Sequence, residues 1–264
     1  MDNLTPTTPA GIEPPAGGRP PADGWAVDAG HGAQWWSAAW ALFRASPWIW
    51  LAITVLFIVI MFVLALIPLV GQIASSLLYP VLGAGLLAGA RAQDGGGELK
   101  VEHLFACFNA KAVPLIVVAL LYFAGWFLIW VVAAALLVGV VGFGTLASLL
   151  SGDPSEAGIV LLSAMGMGTV IVLLLAALLG VPLIMAYWYA PALVLFRGEE
   201  PIKAMRTSFT ACMRNVPPFF VYGLLGIVFA VLASIPLGLG WLVLMPVYGA
   251  TIYTSYKDIF GEPA

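Results

Sequence analysis

His103 and Cys107 stand four residues apart, which on a helix sets a nitrogen and a sulfur ligand on one face, with Glu102 beside them. A metal centre needs three or four such ligands converging. The second histidine, His31, and the second cysteine, Cys212, are remote in sequence. No metal site is expected. Two cysteines are also too few for a disulfide framework. Cys107 and Cys212 occupy similar settings, "ACF" and "ACM", and read as small apolar residues with free thiols rather than as a redox pair. Carboxylates that could do acid–base work, Asp94, Glu98, Glu102 and Asp258, border apolar runs without entering them. There is no Gly-rich phosphate loop with a lysine, no HExxH and no nucleophile elbow. The pattern points to a non-enzymatic protein, with no catalytic, cofactor-binding or metal-binding residues.

The most concentrated charge is basic and lies in "RGEEPIKAMRTSFTACMRN", Arg197 to Asn215. Ile202, Met205, Phe209, Cys212 and Met213 recur at spacings of three and four, the period of a helix. Lys203, Arg206, Thr207, Thr210 and Arg214 fill the opposite side. Glu199 and Glu200 before Pro201 suit a helix start, and Arg214 suits its end. An amphipathic helix lying on a membrane surface or on other helices is expected. Lys203, Arg206 and Arg214 are the candidate contacts to anionic lipid headgroups, each worth roughly 1 kcal/mol near the surface.

The elements that carry this helix are set by hydropathy. The chain has 264 residues, 62% of them apolar and 9% charged, with a net charge of −3. Its mean hydropathy is +1.04. Soluble domains carry about 25% charged residues, so the solvent implied is a bilayer. The acidic balance offers nothing to nucleic acid. Six runs are long enough to cross, at 48–67, 73–90, 114–142, 159–181, 218–235 and 239–256. They lack strand-like alternation, which excludes an outer-membrane barrel. No Asp, Glu, Lys, Arg or His falls inside them, which argues against a proton-coupled pump. Their polar groups are hydroxyls such as Ser163, Thr169, Thr251 and Thr254. The uncharged stretch from Ala157 to Phe196 is too long for one straight crossing, and the fourth span is expected to end or kink near Pro182. Tyr187, Trp188 and Tyr189 would then sit near the inner interface.

With six crossings, all ten Lys and Arg fall on one side, and the opposite turns near Pro68, Pro154 and Pro236 hold only Asp153 and Glu156. The positive-inside rule places both termini in the cytoplasm. Residues 1–32, rich in Pro and Gly, read as a disordered cytoplasmic tail rather than a cleaved signal, and 261–264 as a short C-terminal tail. The transmembrane domain is 33–260.

Three stretches share one plan, an amphipathic helix followed by a proline and a span. The junctions are "ALFRASP", "ACFNAKAVP" and "ACMRNVP". The apolar stripes are Trp36, Trp40 and Phe43 in the first and Val101, Leu104, Phe105 and Phe108 in the second. "YPVLGAGLLAGARAQDGG" aligns without gaps to "MPVYGATIYTSYKDIFGE", pairing Pro80 with Pro246 and Gly83 with Gly249. The fold class expected is all-α, a polytopic membrane helix bundle of six transmembrane helices in three parallel two-helix repeats, with cytoplasmic amphipathic helices. Gly85-x-x-x-Gly89 and Ala164-x-x-x-Gly168 read as close packing inside the monomer.

The segments "WALFRASPW", "AMRTSFTACMRN" and the terminal Ser255 to Phe260, "SYKDIF", resemble an uncharacterised family of proteobacterial integral membrane proteins. More distantly, the layout is similar to the membrane domain attached to some glycerophosphodiester phosphodiesterases. The resemblance implies an inner-membrane location and supplies no activity. The function expected is binding of lipid or of partner membrane proteins through the basic cytoplasmic face. The alternative is a facilitator for an uncharged or lipid-like substrate, with a polar path near Ser163, Thr169 and Thr251.

Overall fold

The computed structural model describes residues 20–109, 111–151 and 154–261. The described residues form helices and connecting turns, without strands. The helices are α1 (His31–Ala45), α2 (Pro47–Ala65), α3 (Val70–Asp94), α4 (Ala112–Ser151), α5 (Pro154–Trp188), α6 (Ala190–Arg197), α7 (Pro201–Arg214), α8 (Val216–Ser234) and α9 (Trp241–Phe260). Five stretches are long and apolar enough to cross a membrane: Pro47–Ala65, Val70–Asp94, Ala112–Leu146, Gly168–Arg197 and Val216–Ser234. Their surface is largely apolar and exposed, as at Val59, Phe62 and Val63 on α2 and Leu224, Ile227 and Val231 on α8. Exposed apolar rows of this extent are stable against hydrocarbon, not water. α9 is also 20 residues long but its C-terminal half carries Tyr253, Thr254, Ser255, Tyr256 and Asp258, all buried by protein.

Proline starts several helices, as the missing N–H costs nothing in a first turn. Pro47, Pro201 and Pro217 or Pro218 sit there in α2, α7 and α8. The turns after α2 and α8 are alike. Each is a Pro–Leu pair whose leucine has positive φ, +61° at Leu69 and +54° at Leu237. Both leucines are exposed.

The chain divides into two compact units. One contains the residues up to Ala119 together with those from Ala186 onward, and the other is Leu120–Met185. In the first, α1 packs on α8 and α9, and α3 packs on α2, α6, α9 and the short 3-10 turn Val101–Phe105. Gly32 lets α1 approach Pro218 and Tyr222 so closely that a Cβ would strike their backbone. Gln93 ties three helices, accepting from Trp50 Nε1 at 2.9 Å and donating to the Leu42 carbonyl at 2.9 Å. In the second unit, Gly125 faces Leu183, Gly168 faces Leu137 and Val140, and Gly180 faces Trp126. Small residues thus let α4 and α5 meet closely.

Three expectations change and one, the packing at Gly85 and Gly89, holds. α5 continues through Pro182 and ends at Trp188, with the break at Tyr189. The reason is local: the Tyr189 N–H donates to Ser208 Oγ at 2.9 Å, so it needs no helical carbonyl, and Pro191 opens α6. The stripe at Val101–Phe108 forms only a 3-10 turn, because His103 Nδ1 accepts from its own Lys100 N–H at 3.0 Å. Gly85 and Gly89, expected to pack closely inside the monomer, do so against the Leu99–Leu104 segment. Finally, residues 1–19 of the expected tail lie outside the described residues, but 20–30 form a strap tied to Ile259, Arg197 and Asn215. Trp25 N–H donates to the Ile259 carbonyl at 2.8 Å, and Arg197 donates to Ala22 O at 2.8 Å and to Phe260 O at 3.0 Å. Asn215 accepts from Val27 N–H and donates to Trp25 O, both at 2.9 Å. Backbone bonding, not apolar burial, orders this segment, so composition gave no sign of it.

Candidate functional site

The three cations read from the sequence belong to α7, and the surroundings of that helix decide what they can reach. Gly198, at φ +63°, closes α6, and extended Glu200 precedes Pro201 at the start of α7. Glu199 accepts from Thr207 Oγ1 at 3.1 Å, which fixes the helix against its own approach. The side of α7 that meets the protein is made of small residues: Ala204, Thr207, Ser208, Ala211 and Cys212 are buried. Ile202, Phe209 and Met213 are instead exposed, at 57%, 36% and 52%. The expected two-faced division is therefore corrected. Cys212 and Thr207 join a third, buried face, and the large apolar residues point away from the protein.

At about 100° per residue, Ile202, Phe209 and Met213 fall within about 40° of one another, and Arg206, Lys203 and Arg214 follow along one flank. An apolar ridge with a cationic edge is the pattern of a helix lying in a membrane interface. Lys203 and Arg206 are exposed and make no ion pair among the described residues. Arg214 lies 3.5 Å from Asp23 of the strap, with both side chains about half exposed, so its charge is partly met. Exposed rings also stand at Trp40 on α1, at Trp48 in the first turn of α2, and at Phe105 and Phe108 before α4.

The buried thiols do not form a reactive site. Burial raises the Cys107 thiol to about 11, against a smaller lowering by Lys111. Burial likewise raises Cys212 to about 12, against a hydrogen bond from Ser208. His103 is engaged in its own turn, and no group of three or more metal-ligating side chains exists among the described residues.

Two features go beyond what the sequence indicated. Asp258 is one: its side chain is fully buried, and Oδ2 accepts from Trp35 Nε1 at 2.7 Å and lies 2.9 Å from His31 Nδ1. Nearby, Asp94 Oδ2 takes Lys257 Nζ and the Tyr253 hydroxyl, each at 2.8 Å. These contacts lock the end of α9 to α1 and α3. The second feature is a cavity of about 740 Å³ within the first unit. Its aromatic walls include Trp36, Trp188, Tyr222 and Tyr248, and Gly83, Gly223 and Gly226 give it room. Thr251, expected on a polar path, bonds the Tyr222 hydroxyl at 2.8 Å behind this wall. Ser163 and Thr169 are exposed on α5 in the second unit.

The chain is similar to a protein of Burkholderia thailandensis named a probable inner membrane protein, at 29% identity over 228 residues, covering 86% of this chain and 82% of that relative. No protein-family model and no solved structure matches the chain.

Proposed function

We propose that this is a non-enzymatic inner-membrane protein that gathers anionic lipid at its cytoplasmic face through α7. The observation that carries the reading is the exposed ridge of Ile202, Phe209 and Met213 flanked by the unpaired cations Lys203 and Arg206. The ridge enters the acyl boundary and the cations meet phosphate. The inner-membrane assignment draws on the relative's name together with the five apolar helices.

The layout behind the reading is six crossings with both termini in the cytoplasm. Support comes from parity. Trp25 and Ile259 are hydrogen-bonded and His31 touches Asp258, so the two ends of the described chain share one side. Ends on one side require an even number of crossings, and five apolar stretches make six when α9 is counted. At 1.5 Å per residue α9 is about 30 Å long, the thickness of the hydrocarbon core. The matching Pro–Leu turns at Leu69 and Leu237 support a repeat relation between α2–α3 and α8–α9.

The test is Lys203→Gln, Arg206→Gln and Arg214→Gln together, with the anionic lipid retained after mild extraction measured by mass spectrometry. At about 1 kcal/mol per cation, and with Arg214 discounted for Asp23, about 30-fold weaker retention is expected. An unchanged ratio of anionic to zwitterionic lipid refutes the reading. A second reading, a facilitator for an uncharged lipid-like substrate, draws on the aromatic cavity.

A further inference from the structure

The cavity in the first unit has a size, a shape and an unmet donor that together describe a ligand. Its volume, about 740 Å³, lies within the range of small-molecule sites. On α9 it runs from Trp241 to Ile252, eleven steps, or about 16 Å along the helix. That is close to the depth of one leaflet, about half of a 30 Å core. A shallow apolar groove at Ile227, Ala230 and Trp241 shares wall residues with the cavity and continues along α8 to Ile235. The wall is apolar along α3, α8 and α9, but not uniformly. The Trp188 Nε1 is buried and has no hydrogen-bond partner among the described residues. Trp188 itself lines the cavity, so a ligand held there that supplies the missing acceptor satisfies this donor.

The walls are also built to leave space. A Cβ at Gly83 or at Gly223 would meet nothing within 4 Å, although both glycines line the cavity. Pro80 and Gly83 of α3 and the same pair of residue types on α9, Pro246 and Gly249, all line the cavity.

We propose that this cavity is a binding site for one bilayer amphiphile, its hydrocarbon chain lying between α3, α8 and α9 and its carbonyl oxygen accepting from Trp188 Nε1. The aromatic faces of Trp36, Tyr222 and Tyr248 enclose the junction between the carbonyl and the chain. Two membrane constituents share this chemistry, the ester of a glycerophospholipid and the ring of an isoprenoid quinone. The site is separate from the α7 face. Exchange of the three α7 cations leaves it filled, and failure of either reading leaves the other standing.

The test fills the space. Gly83→Leu and Gly223→Leu, singly and together, place side chains into the cavity, and Gly139→Leu places one on an exposed, open position of α4 as control. Each protein is extracted mildly and its bound amphiphiles are counted per chain by native mass spectrometry. The double variant is expected to lose one amphiphile at least tenfold relative to Gly139→Leu, and Trp188→Phe to weaken it about fivefold. Equal occupancy in the double variant and the control overturns the proposal. Unmutated protein guards against misfolded variants: its tryptophan emission is titrated with a bromine-labelled phosphatidylglycerol and with a short-chain benzoquinone. Saturable quenching at one site per chain by the first supports a phospholipid, and by the second a quinone. Saturation by neither overturns the proposal.

Discussion

Replacing Asp258 by leucine tests whether the joint between α1 and α9 holds the first unit together. The carboxylate is fully buried and receives Trp35 Nε1 at 2.7 Å, with His31 Nδ1 at 2.9 Å on the same oxygen. Leucine has nearly the same shape but accepts nothing. Trp35 is wholly buried, so its N–H would be stranded, whereas His31 is partly exposed and can turn to water. Hydrogen bonds to a charged group contribute about 1.5–3 kcal/mol, and a stranded buried donor costs about 1–3 kcal/mol. Against this, Oδ1 of Asp258 has no hydrogen-bond partner among the described residues, and leucine relieves that cost. The net expected is a loss of about 3 kcal/mol. Asparagine keeps one acceptor and should cost about half as much. At about 2–4 °C per kcal/mol, Asp258→Leu should melt roughly 6–12 °C below the unmutated protein. Thermal unfolding followed by tryptophan emission in one detergent measures it. Buried ion pairs are in some proteins no better than apolar replacements. If Asp258→Leu melts within 2 °C of the unmutated protein, or above it, the joint is not a stabilising element and the reasoning fails.

The strap gives a second outcome. Gly24 has φ +78°, and a Cβ there would lie 2.6 Å from Ile259 Cγ2, so Gly24→Ala should cost about 1–3 kcal/mol locally. Limited proteolysis should then cut between residues 20 and 30 faster, with the melting temperature of the remaining helices little changed. Asn215→Ala strands Val27 N–H and Trp25 O, and should release the same segment by the same readout. With thiols raised to about 11 and 12, Cys107 and Cys212 are thiolates to only about one part in 10³ and 10⁴ at pH 8, and maleimide should label the folded protein at least a hundred times more slowly than free cysteine. The sign for stability follows from the same direction. The raised thiols contribute fully below the unfolded pKa of about 8.5, and that contribution is lost as pH climbs from there towards 12, so alkaline unfolding midpoints should rise in a Cys212→Ala variant.

The apolar spans were legible because hydrocarbon thickness demands them residue by residue. Their ends were less so. In the run from Ala157 to Phe196 both Pro182 and Pro191 offer a break, and what sets it at Tyr189 is a hydroxyl from Ser208 on another helix. On α7 the periodicity of Ile202, Phe209 and Met213 was visible, but periodicity marks an apolar stripe without saying whether protein or lipid covers it. The sign that protein lies elsewhere was the run of small residues at Ala204, Ser208 and Ala211, spaced for close approach. The cavity was illegible as a site because its walls come from many elements. Even so, the pairing of Pro80 and Gly83 with Pro246 and Gly249 had marked four of its residues.

The clasp between Trp25 and Ile259 also governs how the molecule bears load. Pulled by its two ends, the chain transmits tension to this joint first. Its backbone hydrogen bond, with the two that Arg197 donates to Ala22 and Phe260, must open before any helix is drawn from the bilayer. A force trace from the two ends should therefore begin with one short rupture, of the length of the strap, ahead of the longer steps of helix extraction.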